Sequence, residues 1–156
     1  MFENLWLTLY KVIYLLKLLH YLRNKNILWP LAISAIYPAV VLIYVWYHCF
    51  ISDFQGGKNG QLDAYRHTLA SAVVAYTSSP KVVSLFTAVT EFGDEPDNQM
   101  DRHNNSLGAE LGYQTKVFSQ INPLVIQHVN SGTENATNGS QITWLAKSFW
   151  EKSLFW

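Results

Sequence analysis

Asp63 and His67 are the first pair of side chains whose spacing suits chemistry. They lie four residues apart in a stretch of helical composition, so they share one face of a helix. A carboxylate in that position can orient an imidazole and fix its tautomer, as in metal sites and acid–base catalysis. Arg66 points about 100° away around the helix and suits an anion or a structural ion pair. Alternatively, Asp63 only stabilises the helix dipole, and His67 is an ordinary surface residue.

A second polar face follows between residues 97 and 108. Asp97, Asp101, Asn104, Asn105 and Gly108 occupy positions i, i+4, i+7, i+8 and i+11, which form one continuous face of a helix. Apolar residues normally occupy this spacing because the face packs on a core. Here the face carries carboxylates, carboxamides and a glycine that allows another backbone or a ligand to approach. We expect either a buried face matched by donors from the preceding helices or a solvated polar surface.

Glu91 and the acidic residues around it add further carboxylates. Five of the eleven acidic residues fall within residues 91–101. One histidine with two carboxylates could hold a divalent ion at an open site, whereas paired carboxylates alone could cleave a glycosidic bond. The two asparagines could hold substrate or an oxyanion. The predicted catalytic residues are His67, Glu91, Asp101, Asn104 and Asn105, with His67, Glu91 and Asp101 as candidate metal ligands and Asp63, Arg66 and Gly108 in support.

Several helices must position these side chains. The hydrophobic patterns, prolines and glycines predict elements over residues 62–76, 81–92, 97–120, 124–129 and 141–156. All are helical except the fourth, which is a short helix or strand. The second is apolar on most sides and should be central, while the last closes the core or lies on a membrane surface. Residues 55–60 are glycine-rich and read as a flexible joint.

The N-terminal third has the composition of a membrane segment. Residues 27–51 form a run of 25 residues without formal charge, with aromatic residues at both ends. This exceeds the roughly 20 apolar residues that cross a bilayer. Residues 5–22 form a first membrane span, an interfacial helix or a helix packed on the domain. The basic turn at residues 23–26 should stay cytoplasmic, which leaves the following domain on the other side of the membrane.

The predicted fold class is therefore all-α, with an N-terminal membrane helix or helical hairpin followed by a small helical bundle. We predict membrane-anchoring helices over residues 1–54 and a helical soluble domain over residues 55–156. Lysine plus arginine and aspartate plus glutamate number 11 each, so no overall basic field favours nucleic acid as a partner. The single cysteine excludes an internal disulfide and a cysteine-rich zinc site.

Three motifs together resemble a known family. They are Asp63-Ala-Tyr-Arg-His67, then Glu91, then Met100-Asp-Arg-His-Asn-Asn-Ser-Leu-Gly108. This order is similar to an uncharacterised bacterial domain family, in which an (N/D)-A-F-R-H helix precedes a His-Glu pair and an M-D-x-x-N-N-x-x-G helix. Such domains often form the terminal module of large secreted or toxin-like chains. The resemblance covers residues 60–112, and Thr90 stands where the family tends to have the histidine before Glu91.

Two classes of function fit these observations. The first is a membrane-anchored hydrolase that faces the cell envelope, acts on envelope material and uses the polar site, with a divalent metal ion as a candidate cofactor. The second is a non-enzymatic membrane protein, such as an envelope assembly factor or an immunity-type binder, whose polar cluster is structural. The expected partners are the lipid bilayer together with an envelope substrate or another protein, and the expected location is the membrane, the inner membrane in a bacterium.

Overall fold

The computed structural model describes the backbone of residues 28–151 and the side chains from residue 36 onward. Its secondary structure is mostly helical, which confirms the predicted small helical domain. The helices are α1 (Leu28–Phe50), α2 (Gln61–Thr77), α3 (Pro80–Thr90), α4 (Pro96–Gln114) and α5 (Ile121–Asn130). Two single 3-10 turns lie at Phe118–Gln120 and Lys147–Phe149, and two short parallel strands pair, β1 (Thr133–Glu134) with β2 (Thr143–Trp144).

Helices α2 and α4 form the centre of the domain. Eleven residues of α2 are buried, and two glycines of α4 bring its backbone against that of α2. A Cβ atom at Gly108 would collide with the carbonyl oxygen of Thr68, and one at Gly112 would collide with that of Ala72. Only glycine permits this approach, since any other side chain would force the two backbones apart. The glycine of the predicted polar face thus serves helix–helix packing.

Helix α3 lies at the surface, so the prediction that it is central is wrong. Val83 is its one buried residue and packs with Ala75 of α2 and Ala109 of α4. Leu85 and Val89 are 67 % and 74 % exposed, and Phe86 is also exposed. Because this short helix contacts its neighbours through one narrow side only, its apolar composition does not translate into burial.

The chain after α4 differs from the predicted pattern. Helix α4 ends at Gln114 rather than near residue 120, and residues 124–129 belong to helix α5. Residues 141–151 are not the predicted helix: they contain β2 and a 3-10 turn. The strand forms because Ile142, Thr143 and Trp144 are all buried and bond to β1 and to α4 through their backbone. In a helix, three consecutive side chains point in directions about 100° apart, so a single packed face could not bury all three.

The described chain divides into two compact units, with the boundary between Val40 and Val41. In the second unit, the last turns of α1 bury Val41, Val45 and Cys49, which are spaced four residues apart, on the domain. Asn122 Nδ2 also donates to His48 Nδ1 at 3.2 Å. One side of these turns therefore belongs to the domain core.

Among residues 28–151, no helix has both the length and the apolar character that crossing a bilayer requires, so the membrane helix predicted over residues 27–51 is not found there. The stretch predicted over residues 5–22, and with it the helical hairpin, lies outside the described residues. So do residues 152–156 at the end of the predicted C-terminal helix. The division into an anchor over residues 1–54 and a domain over residues 55–156 stays a prediction.

Candidate functional site

His67 lies between two carboxylates from different helices. Its Nε2 atom is 3.4 Å from Asp63 Oδ1, one turn earlier on α2, and 3.6 Å from Asp101 Oδ2 on α4. One ligand atom from each of the three residues lies within 4.8 Å of the other two. Asp63 is 2 % exposed, and the other two side chains are 18 % and 13 % exposed. This convergence is the geometry that a shared proton or a bound cation needs.

Asp63 also organises the loop before α2. Its Oδ2 accepts a hydrogen bond of 2.6 Å from the backbone N–H of Asn59, and its Oδ1 accepts one from Arg66. Arg66 donates in addition to the carbonyl oxygen of Gly57 at 3.0 Å, and its guanidinium lies 5.4 Å from the ring centroid of Trp46. These bonds order residues 57–59, so the stretch predicted as a flexible joint forms one wall of the site.

A cavity of about 220 Å³ opens beside the three residues. Its lining carries four carboxylates but only two permanent cations, and one of these, Lys58, pairs with Glu151 at 3.3 Å. The lining residues are Lys58, Asn59, Asp63, Arg66, His67, Thr90, Glu91, Asp97 and Asp101. The cavity therefore has an excess of negative charge when its carboxylates are ionised, which favours a cation inside it.

Two buried side-chain oxygens in the described part of the chain have no hydrogen-bond partner, and both belong to residues that line this cavity. They are Asn59 Oδ1 and Asp101 Oδ1. An unsatisfied buried polar atom costs about 1–3 kcal/mol, and more where the group is charged. A group that supplies positive charge or hydrogen-bond donors would satisfy both oxygens.

The surroundings shift the pKa values of the three titratable groups in different directions. Burial raises the pKa of Asp101 to about 7; His67 opposes this shift, while Asp63 and Glu91 reinforce it. Burial alone would lower the pKa of His67, but its hydrogen bond with Asp63 and the charge of Asp101 leave that pKa raised. Burial would raise the pKa of Asp63, yet His67, Arg66 and the Asn59 N–H together leave it lowered. Asp63 is thus the permanent anion of the site, whereas Asp101 exchanges its proton near neutral pH.

Glu91 lines the cavity but does not belong to the group of three. It caps the C-terminus of α3, is half-buried, and its Oε1 accepts a hydrogen bond of 2.9 Å from Thr90 Oγ1. Arg102 holds the backbone in place by donating to the Glu91 carbonyl oxygen at 2.7 Å. Of the predicted metal ligands, the structure thus brings His67 and Asp101 together with Asp63. The carboxylate of Glu91 lies apart from these three at the wall of the cavity.

Asn104 and Asn105 lie outside the cavity. Asn104 is fully buried and exchanges two hydrogen bonds with the backbone of Thr143 in β2, at 2.8 and 3.1 Å. Asn105 accepts a hydrogen bond of 2.8 Å from Ser71 of α2. These side chains join α4 to β2 and to α2, and Gly108 adds the close backbone contact. The predicted polar face is therefore one surface with two uses, of which only the Asp97–Asp101 end reaches the cavity.

Lys58 and Asn59 line the cavity from the glycine-rich loop, and the sequence pattern did not indicate them as site residues. The available signal was positional, because this loop comes directly before the helix that carries Asp63 and His67. Asn59 adopts φ 65°, a left-handed conformation that asparagine tolerates better than most residues. The sequence Asn59-Gly60 is therefore compatible with an ordered turn as well as with a flexible joint.

Comparison with known proteins identifies a matching family. A family model described as "Domain of unknown function (DUF6973)" matches residues 51–137. No curated protein and no solved structure matches the chain. The match includes every residue that lines the cavity, and it confirms the predicted membership in an uncharacterised domain family.

Proposed function

Since the chain belongs to the DUF6973 family of domains of unknown function, we propose a function from the geometry of its cavity: a hydrolase that uses a divalent cation held by Asp63, His67 and Asp101. The observation that carries the proposal is the convergence of these three ligand atoms within 4.8 Å, next to a carboxylate oxygen that no described residue satisfies. A cation would satisfy that oxygen and offset the negative charge of the cavity.

The donor types agree with this assignment. Carboxylate oxygen and imidazole nitrogen together suit borderline divalent ions, and three protein ligands leave further coordination positions open to water or substrate. Arg66 also bonds Asp63, but its guanidinium is held towards Gly57 and Trp46. A carboxylate oxygen has enough lone pairs to serve both a guanidinium and a metal ion.

Hydrolysis follows from the charges around the cation. The ion would supply positive charge that polarises a carbonyl or phosphoryl oxygen of the substrate. Glu91, which lies outside the ligand group, would act as the general base: it takes a proton from water while the resulting hydroxide attacks the electrophilic atom. The bond to the leaving group then breaks, and the leaving group receives that proton. One water is consumed for each bond cleaved.

The first experiment measures cation binding by the full-length chain. After removal of metal with a chelator, titration with Mn²⁺ should show one ion per chain. His67→Gln and Asp101→Asn should weaken binding by at least about tenfold. His128→Gln and Asp53→Asn, whose side chains lie away from the cavity, should bind like the parent. Equal affinity of His67→Gln and the parent chain would contradict the proposed cation site.

The second experiment separates binding from chemistry. With a panel of chromogenic carboxylic and phosphoric esters, hydrolysis should require the added ion and disappear with chelator. Glu91→Gln should keep the ion but lose about 10²–10⁴-fold in rate, the usual contribution of a general base. A Glu91→Gln protein with parental activity would remove Glu91 from the mechanism.

The location in the cell remains part of the proposal. We infer that the domain is anchored to a membrane and faces the cell envelope, supported by the uncharged run over residues 27–51 and by the exposure of Ile43, Tyr47 and Phe50 on α1. A reporter fused after Trp156 that matures only outside the cytoplasm should be active in a bacterial host. A reporter active only in the cytosol would contradict this location.

A second function is favoured by a different observation, the hydrogen bonds that Asn104 and Asn105 of α4 make within the fold. If Asp63, Arg66 and His67 only fix the loop over residues 57–59, the domain is a binding module whose polar cluster is structural. In that case Asp101→Asn would lower the melting temperature sharply. The hydrolase proposal expects unchanged or higher stability for the same variant, because active-site groups are commonly kept at a cost in stability.

A further inference from the structure

Asn59 is the one carboxamide that lines the cavity. The residue is 9 % exposed, and both its backbone and its side chain are held in place. Its N–H donates to Asp63 Oδ2 at 2.6 Å, and its Nδ2 donates to the carbonyl oxygen of Phe149 at 3.0 Å. Its Oδ1 is buried and has no partner among the described residues.

The orientation of this amide is determined by its donor. If the oxygen and nitrogen were exchanged, the Asn59 oxygen would face the carbonyl oxygen of Phe149, and two acceptors would meet without a proton between them. The bond to Phe149 therefore fixes Nδ2 on that side and leaves Oδ1 on the other. A rigid, dehydrated amide oxygen next to a carboxylate cluster is a good ligand for a cation and a poor neighbour for an anion.

We propose that Asn59 Oδ1 is a fourth ligand of the cation, beside one nitrogen and two other oxygen donors, and that it contributes more to the affinity for Mn²⁺ than to the affinity for Zn²⁺. This inference rests on the proposed function, because it uses the same cation. Amide and carboxylate oxygens suit hard ions, whereas zinc sites in proteins favour nitrogen and sulfur donors and mostly keep four ligands. An additional oxygen donor thus shifts the preference towards an ion that accepts six ligands.

The backbone conformation of Asn59 makes a clean test possible. At φ 65°, glycine is unstrained, so Asn59→Gly removes the amide and keeps the N–H that binds Asp63. Asn59→Ser also removes the amide oxygen and places no acceptor against the carbonyl oxygen of Phe149, because its side chain is shorter. Asn135 is the matched control, since it is the other non-glycine residue with positive φ in the described chain, at 49°, and is exposed.

The experiment measures Mn²⁺ and Zn²⁺ affinity of the full-length chain by titration. Asn59→Gly should lose about tenfold in Mn²⁺ affinity and less in Zn²⁺ affinity, and Asn135→Gly should change neither. Parental Mn²⁺ affinity in Asn59→Gly would overturn the proposal. If that variant does not fold, parental Mn²⁺ affinity in Asn59→Ser would overturn it.

Failure of the underlying function gives a different result. If the parent chain binds neither Mn²⁺ nor Zn²⁺, and so does not differ from His67→Gln, the cation site as a whole is refuted. If His67→Gln weakens Mn²⁺ binding but Asn59→Gly does not, only the assignment of Asn59 as a fourth ligand is refuted. An equal loss of Mn²⁺ and Zn²⁺ affinity in Asn59→Gly would contradict the larger contribution of Asn59 to Mn²⁺ binding.

Discussion

The two ends of the polar face on α4 follow opposite rules. Towards its C-terminal end, Asn104 and Asn105 are buried and bonded to Thr143 and Ser71. One turn earlier, Asp101 is nearly as buried, yet one of its oxygens has no partner in the described chain. Both ends carry the same kind of residue at the same helical spacing. The difference is that the asparagines are bonded within the fold, whereas Asp101 keeps an oxygen that the cation of the proposed site would satisfy.

Among the substitutions that test packing and hydrogen bonding, the largest expected loss of unfolding free energy is at Gly108, where α4 contacts α2 next to the bonded asparagines. Gly108→Ala should destabilise the domain by about 3 kcal/mol, because its Cβ would meet backbone atoms of Thr68, which cannot rotate away. Thermal unfolding followed by circular dichroism should show a fall in Tm of roughly 10 °C. Gly139→Ala is the control, since nothing lies within 4 Å of a Cβ there. Equal Tm values for the two variants would show that the backbone contact is not needed.

Asn104→Ala should have the next largest effect. The substitution leaves the backbone N–H and carbonyl group of Thr143 without their partner in a buried region, which costs about 2 kcal/mol or more. Urea unfolding of the variant should give a lower midpoint with a similar slope. Asn130→Ala, at the exposed end of α5, should remain near the parental midpoint. A stable Asn104→Ala protein would make the two ends of the face energetically alike.

The pH dependence of stability should identify the unsatisfied end. The native pKa of Asp101 is about 7, whereas its ordinary value is 3.8, so the native state binds a proton that the unfolded state has lost between those values. Stability in chelator should therefore fall as the pH rises from about 4 to about 7, by at most about 1.4 kcal/mol per pH unit for one proton.

His67 acts in the same direction in this experiment, because its raised pKa gives stability below its ordinary value that is lost as the pH rises through the native one. Asp63 acts only below pH 3.8, where its lowered pKa makes stability fall as the pH falls. Asp101→Asn should flatten the slope between pH 4 and 7, and Asp53→Asn should not. An unchanged slope in Asp101→Asn would assign the proton to another group.

The smallest effect is expected at Ser71. Ser71→Ala removes the single hydrogen bond to Asn105 and should cost about 1 kcal/mol. Ser106→Ala, on the exposed side of α4, should change the unfolding free energy by less than about 0.5 kcal/mol. A loss in Ser71→Ala as large as that in Asn104→Ala would mean that these bonds act as one network.

Helical periodicity was sufficient to predict α2, the start of α4 and the pairing of Asp63 with His67. These features depend on local chemistry: an apolar period, a proline at a helix start and a spacing of four residues. The exposure of α3 and the strand at residues 143–144 could not be predicted in this way. Both depend on which neighbour is available, and a short apolar run fits a central helix, a surface helix or a strand equally well.

The composition of the site was partly predictable for the same reason. Spacing grouped Asp101 with Asn104 and Asn105, but it could not tell which of them would meet Thr143 or Ser71, because those partners are distant in sequence. Asn59 was missed because its loop has no period to detect. Its order comes from Asp63 and Arg66, so the loop becomes predictable only after the helix is placed.

The glycine contact between α2 and α4 has a consequence for selectivity. Because the two backbones touch at Gly108 and Gly112, the helices cannot move closer together. The distance between the backbones that carry His67 and Asp101 therefore has a lower limit, set by a contact two turns away on α4. A cation that is too small for the site cannot bring His67 and Asp101 closer together by shifting a helix. Discrimination by size would then reside in the rigid frame, and replacing the side chains that touch the guest would leave that limit in place.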